Sequence, residues 1–467
     1  MSIESDTASR PIPRPVRGDN IRLVRKLFSD PPVALAEISA NYGPICALGG
    51  GPIQVIVVGG PGLIQQLFTT PVESFRWAHK FNVVGLRFVI GRSSMIVSDG
   101  VDHDRRRAPA QPAFARRRLN EWIPTILDRT DAAIEQLSTE LPGAGGALVD
   151  MYPIGRRLIL GITLRAFFGE RFAARVDEIG DLYVRPQRFI EAPAVQQLPH
   201  PIPFTFRAKV RADRRAIDRL IDDEITIRRG GHHSSTRSPA DAPEVLDAYL
   251  GSGLSDAEIR DQVRSLIGAG YDTTAATFAW MMLRAAYTPD VWARVRAEAD
   301  EVLGTIDQQS VNHADATLTN LVYAGRVVRE ALRLHPAGLL GVRAAGVDIR
   351  LGDHLIRSGA LIAWSPYLAG RDPASWADPL RFNPDRFADL SPELKALADQ
   401  AWVPFGRGPH SCLGFALAQM ELTLIVARLA QRLDLTRSTA DLPRPLGMIV
   451  NRPEGGAHLR VTLRPER

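Results

Sequence analysis

One cysteine lies in the stretch "FGRGPHSCLG", Phe405 to Gly414, and a helical pattern, "FALAQMELTLIVARLAQRL", follows at once. The chain holds two cysteines in all, Cys46 and Cys412. They exclude a disulfide framework, and a single bridge is unneeded at 467 residues. The position suits a metal-binding thiolate. The first turn of a helix offers unpaired N–H groups and the positive end of its dipole. Gly406 and Gly408 permit backbone angles closed to other residues. Gly414 lets the helix approach something flat and wide, Phe405 can shield the sulfur from water, and His410 can donate to an anion beside the metal.

Three other constellations carry chemistry. "IGAGYDTTAAT" (267–277) sets the small residues Ala269 and Gly270 before Asp272, Thr273 and Thr274. An acid beside hydroxyls offers a proton relay, and a helical threonine can bond the carbonyl of the previous turn. In "GVDHDRRR" (100–107), His103 and Arg107 stand one helical turn apart. "REALRLHP" places Glu330 and Arg333 at i and i+3, on one helical face.

The ten residues of the cysteine loop resemble the haem-binding loop of the cytochrome P450 family, with Phe, Gly, His, Cys and Gly at the expected offsets. One axial thiolate is enough for haem, whereas structural zinc and iron–sulfur sites need about four protein ligands. The chain is similar to a bacterial-type member from about residue 20 onward. The resemblance implies a mainly α fold with a small segregated β region, the triangular cytochrome P450 fold. A polar tail over 1–20 would precede a single haem-thiolate catalytic domain over 21–467. It implies Cys412 as axial ligand of the iron in haem b (iron protoporphyrin IX), with Phe405, Gly406, Gly414 and Ala269 against the cofactor. His103, Arg107, Arg343 in "LLGVRAA" and His410 would meet the propionates. Asp272 and Thr273 would be catalytic, and Tyr271 has no assigned role. Arg386 in "WADPLRFNPDRF" would join Glu330 and Arg333 in a buried structural cluster.

The implied activity is hydroxylation of a lipophilic small molecule with O2. No flavin-binding motif accompanies the haem domain, so electrons from NAD(P)H would come through a separate acidic ferredoxin or flavodoxin. Arg107, Arg116, Arg117, Arg118 and Arg407 are candidates for its docking patch. The substrate pocket would be lined before "MIVSDG" and from 186–206, 263–273, 337–342 and 446–450. Arg188 or Arg207 is a candidate to hold a carboxylate, although an exposed basic residue is the expected state of each. A thiolate-haem isomerase, dehydratase or peroxygenase is the nearest rival, and Asp272 and Thr273 argue against it. A haem-based gas-sensing module lacks an appended signalling domain.

These residues need elements to hold them. β-like runs appear at 45–48, 53–59, 347–363 and 447–463, and helical periodicity dominates from about 120 to 333. One helix is expected over 206–229. Ser255 with Glu258 reads as a capping box opening a helix that runs to about Tyr287, before Pro289. Composition is that of a globular protein, 45% hydrophobic and 23% charged. The net charge of +5 is almost all arginine, since lysine occurs only at 26, 80, 209 and 395. No zinc-finger or RNA-binding signature accompanies it, so nucleic acid is not an expected partner. No long apolar run or signal peptide is present, which points to a cytoplasmic protein without integral membrane association. His232 and His233 lie in a polar loop over 230–243, where solvated side chains are expected.

Overall fold

"IQVIVVG" is β-branched and apolar, the composition of a strand buried in a sheet. The computed structural model describes residues 9–50, 53–78, 84–141, 146–192, 194–200, 202–231, 244–303 and 318–464; His232 and His233 lie outside them. Strand β1 (Ile45–Gly50) pairs antiparallel with β2 (Ile53–Val58), Ile45 opposite Val58. Two strands from late in the chain complete the sheet with β3 (Phe75–Arg76). β4 spans Gly341–Ala345 and β5 spans Leu361–Trp364. The order is β1-β2-β5-β4-β3, and β2 runs parallel to β5 with Val55 opposite Leu361. Alternate residues face one core: Ile56, Val58, Ile362 and Trp364 pack with Ile64, Leu67 and Val403.

This sheet belongs to one of two compact units, made of Met1–Val83, Gly338–Arg381 and Leu390–Ser411. The other comprises Val84–Ala337, Phe382–Asp389 and Cys412–Arg467. A helix starts at Arg17, inside the stretch expected as a tail.

The second unit is chiefly helical. Its site-bearing helices are α1 (Gly100–Arg107), α2 (Met151–Phe168), α3 (Val176–Ile190), α4 (Phe206–Arg229), α5 (Asp256–Ala286), α6 (Val322–Leu334) and α7 (Phe415–Arg432). The capping box is present: Ser255 Oγ accepts from the Glu258 N–H, and Glu258 accepts from the Ser255 N–H at 3.2 Å. α3 continues through Pro186, so the expected flap begins only after Ile190.

α5 is buried on most sides along its length. A Cβ on Gly155 of α2 would lie 2.3 Å from Phe278 Cδ1, and one on Gly270 would lie 3.3 Å from Thr163 Cγ2. Gly270 thus lets α5 pack closely against α2. Among the described residues no helix is long and apolar enough to cross a membrane.

Candidate active site

Gly406 and Gly408 take φ of +66° and +81°, the left-handed turn that leads the chain toward Cys412. Gly414 then caps α7. The Cys412 side chain has open surface, yet the protein around it pushes the thiol pKa up; the Gly414 N–H and Arg107 pull the other way. Burial outweighs the helix-end stabilisation expected from sequence. A cation at the sulfur is what would make it a thiolate. Cys46 is sealed inside β1, its pKa pushed up to about 11 by burial. At Gly414 an added Cβ would meet nothing nearer than Phe114 Cε1 at 3.8 Å, so no described side chain accounts for the glycine. An open sulfur two residues before a glycine with room at its missing Cβ fits a flat metal-bearing group.

Arg107 shares the second unit with Cys412, and burial lowers its pKa, opposed first by Cys412. Its neighbours Arg105 and Arg106 have a different task. Both pair with Glu258 in the first turn of α5, Arg106 at 3.3 Å, and Arg105 draws that carboxyl down to about 2. This ties α1 to α5. His103 is buried on the same helix, its Nδ1 2.9 Å from Asp104 Oδ1.

Arg343 and His410 belong to the first unit. Arg343 is 6% exposed, and its Nε has no hydrogen-bond partner among the described residues. Burial alone lowers its pKa to about 10. Its guanidinium carbon lies 4.9 Å from the Phe75 ring centre and 5.0 Å from that of Trp77. Trp77 also stacks on His410, centroids 3.6 Å apart and planes 4° from parallel. A buried guanidinium without a carboxylate is costly, and an anionic cofactor group would offset that cost. Trp77 had no motif to announce it. Phe405 packs edge-on to Trp402 at 5.9 Å, and Gly406 lies against Trp364.

Along α5, Ala269 is exposed and Thr273 half-buried in an otherwise buried stretch. They are one turn apart, and Thr273 Oγ1 donates to the Ala269 carbonyl at 2.8 Å. Asp272 is buried on another face. Tyr152 Oη donates to it at 3.0 Å, and Arg156 Nε lies 3.0 Å from the same oxygen. Arg156 Nη2 also donates to Tyr271 Oη at 3.0 Å, and Tyr271 donates to Gln187 at 2.8 Å. Burial raises the pKa values of Tyr152 and Tyr271, which keeps both phenols as donors. Tyr152, Arg156 and Gln187 were missed because they lie about a hundred residues from Asp272.

Glu421 was also missed, although a lone acid inside "AQMELTLIV" is a visible signal. It is 2% exposed on α7, and burial raises its pKa well above the carboxylate range. It pairs with Thr274. Thr274 Oγ1 already gives its hydrogen to the Gly270 carbonyl at 3.0 Å, so it can only accept from Glu421. Glu421 is therefore a neutral donor. Its raised folded pKa means its contribution to stability is intact below pH 4.5 and is lost as pH rises toward that folded value. Glu421→Gln removes that loss. In denaturant unfolding, the variant should gain on the wild type between pH 5 and pH 8, by at most about 1.4 kcal/mol per pH unit. Parallel pH curves would contradict a neutral Glu421.

The Glu330 cluster is assembled within the second unit. Glu330 accepts from Arg333 Nε at 2.7 Å and Nη2 at 2.8 Å, from Arg386 Nε at 2.9 Å and from the Asn383 N–H at 2.8 Å. Arg116 and Arg117 are exposed, whereas Arg118 pairs with Glu121 at 3.2 Å. Arg407 is half-buried and bonded to Gln65 and the Asp399 carbonyl, so it is a poor docking cation. Arg188 is exposed as expected; Arg207 is buried, contrary to expectation.

A mainly helical fold with a cysteine loop opening α7 is a haem-thiolate architecture. The family model described as Cytochrome P450 matches residues 10–460, and the chain belongs to that family. It is a haem-binding monooxygenase by that membership. Cyclooctat-9-en-7-ol 5-monooxygenase of Streptomyces melanosporofaciens is 30% identical over 442 residues, covering 91% of this chain and 89% of that protein. Cytokinin hydroxylase of Arabidopsis thaliana is 28% identical over 397 residues, covering 82% and 74%. The retinoic acid bound cyanobacterial CYP120A1 superposes with a TM-score of 0.80 at 24% identity, covering 94% of this chain and 96% of that one, which shows the fold.

Proposed function

We propose that the chain hydroxylates a lipophilic small molecule with O2, using two electrons from NAD(P)H relayed by a separate ferredoxin or flavodoxin. One oxygen atom enters the substrate and the other leaves as water, with two protons taken up. The observation that carries this reading is the open sulfur of Cys412, two residues before a glycine whose missing Cβ has no neighbour closer than 3.8 Å. Bound haem supplies the oxygen activation and transfer, as the cofactor's own chemistry. Cys412 would ligate its iron. His103, Arg107, Arg343 and His410 would be the groups to meet its propionates, and Ala269, Phe405, Gly406 and Gly414 would leave it room.

Asp272 and Thr273 deliver protons. Asp272 is held by Tyr152 and Arg156, so turning it toward the reaction means exchanging those bonds. Thr273 keeps its hydroxyl fixed on the Ala269 carbonyl, on the open stripe of α5. Thr273→Ala should retain haem yet divert most of the consumed NAD(P)H to hydrogen peroxide. Product formation per NAD(P)H should drop about tenfold. Unchanged coupling would remove Thr273 from proton delivery.

A relative named for a hydrocarbon alcohol supports a lipophilic substrate, as do the aliphatic stretches "AGLLGV" and "LGMIV". The exposed Arg116 and Arg117 suit an acidic electron donor. Two unpaired cysteines suit a reducing cytoplasm. The test is turnover of terpenoids, steroids, fatty acids and polyketides with reduced nicotinamide, redox partner and O2. A product one oxygen heavier is expected. A product isomeric with its substrate, formed without reductant, would favour the isomerase.

A further inference from the structure

We propose that Trp77 is a positioning residue that sets Arg343 and His410 for a carboxylate of the cofactor, an inference that rests on the reading of both as propionate contacts above. The register of β3 on β4 prepares the contact. Phe75 lies opposite Ala345 and Arg76 opposite Ala344, so the next residue, Trp77, comes level with Arg343. Side chains directly across an antiparallel pair share a face. The Arg343 guanidinium carbon accordingly lies 5.0 Å from the centre of the Trp77 ring, with Phe75 at 4.9 Å and Phe68 at 5.3 Å. All four residues, and His410, belong to the first unit.

Three rings hold this cation, and no acid does. The Arg343 side chain makes no hydrogen bond or ion pair with a described residue, and burial is the sole cause of its lowered pKa. Its Nε is enclosed; its terminal nitrogens, Nη1 and Nη2, are not. Ring faces favour the charged guanidinium electrostatically and take none of its N–H groups in the way a carboxylate would. The cation is thereby kept in place with its terminal N–H groups reserved for an anion from outside.

The same indole fixes the second group. Gly408, with φ of +81°, and the 2.9 Å bond from the Ser411 N–H to the Gly408 carbonyl turn the chain at His410. The imidazole stacks on Trp77 with centroids 3.6 Å apart and planes 4° from parallel. Stacking sets the imidazole plane, and with it the plane in which both ring nitrogens make hydrogen bonds. Trp77 thus serves a strand residue and a loop residue far apart in the chain. Ordering both donors beforehand lowers the entropy cost of gripping a carboxylate.

The test is the rate at which the ferric holoenzyme gives up haem to excess apomyoglobin. Wild type, Trp77→Leu, Trp77→Phe and Arg343→Gln are each loaded with haem and with haem dimethyl ester, whose carboxylates are blocked. With haem, Trp77→Leu and Arg343→Gln should each lose cofactor about tenfold faster than wild type, the worth of one desolvated cation–π contact or charged hydrogen bond. Trp77→Phe, which keeps a ring for both partners, should stay within about threefold of wild type. With the ester, all four should lose cofactor at one rate, whereas a ring that merely packs the core would speed both losses alike. Trp77→Met, nearer in volume, carries the same expectation as the leucine variant and stands in for it if that chain does not fold. Equal acceleration with haem and ester in the Trp77 variants would overturn the positioning role. So would unchanged haem loss in them beside fast loss in Arg343→Gln, which would leave Arg343 as a propionate contact. Haem loss at the wild-type rate in Arg343→Gln would overturn the propionate reading and the inference with it.

Discussion

Cys412→Ser should abolish the thiolate-type ferrous-carbonyl band and lower oxygenation by three orders of magnitude or more, about 4 kcal/mol of barrier. A serine alcohol does not ionise near neutrality and lends far less electron density to iron than a thiolate does. The loop geometry should survive, since the left-handed turns at Gly406 and Gly408 do not depend on the sulfur. Retained fold with lost chemistry would show in near-native circular dichroism beside an altered carbonyl spectrum. Cys46→Ser is the control: that thiol is enclosed in β1, so spectrum and turnover should be those of the wild type. A persistent thiolate-type band in Cys412→Ser would assign the iron to another ligand.

Glu330→Gln should destabilise the protein by about 3–5 kcal/mol, the cost of breaking a buried ion pair from one side. Glu330 and Arg333 have no side-chain exposure, and Arg386 has 8%. The carboxylate accepts four hydrogen bonds from two guanidiniums and a backbone N–H. Glutamine would turn an amide group toward those donors and remove the negative charge that faces two buried cations. Burial already lowers the Arg333 pKa against the pull of Glu330, so the unbalanced state is strained electrostatically. Denaturant unfolding measures the loss. A change below about 1 kcal/mol would mean that water or relaxation relieves the site. The exposed Arg444–Glu454 pair is the contrast, and its disruption should leave stability unchanged.

Local signals were legible in the sequence. The capping box opened α5 at its observed residue, and the 206–229 helix has its expected bounds because Thr205 and Gly230 flank it. The cysteine loop announced itself through glycines whose positive φ the structure shows. The Glu330 cluster needed a resemblance, because spacing alone gives Arg333 but not Arg386, 56 residues on. Partners brought by tertiary packing left no local trace: Tyr152 on Asp272, Trp77 on His410, Thr163 on Gly270. Arg207 was misjudged for the same reason. Its charge predicts exposure, whereas in the fold the rings of Phe88 and Phe189 lie against its guanidinium.

The parallel pairing of β2 with β5 has a consequence for synthesis. Val58 meets Trp364, about 300 residues later, so at ribosomal speed the early strand waits roughly 15–60 s for its neighbour. Until then one edge of a β-branched ribbon stands unsatisfied, the kind of surface that recruits other chains. Nascent chains stalled before residue 361 should therefore be the species that chaperones capture and that inclusion bodies collect.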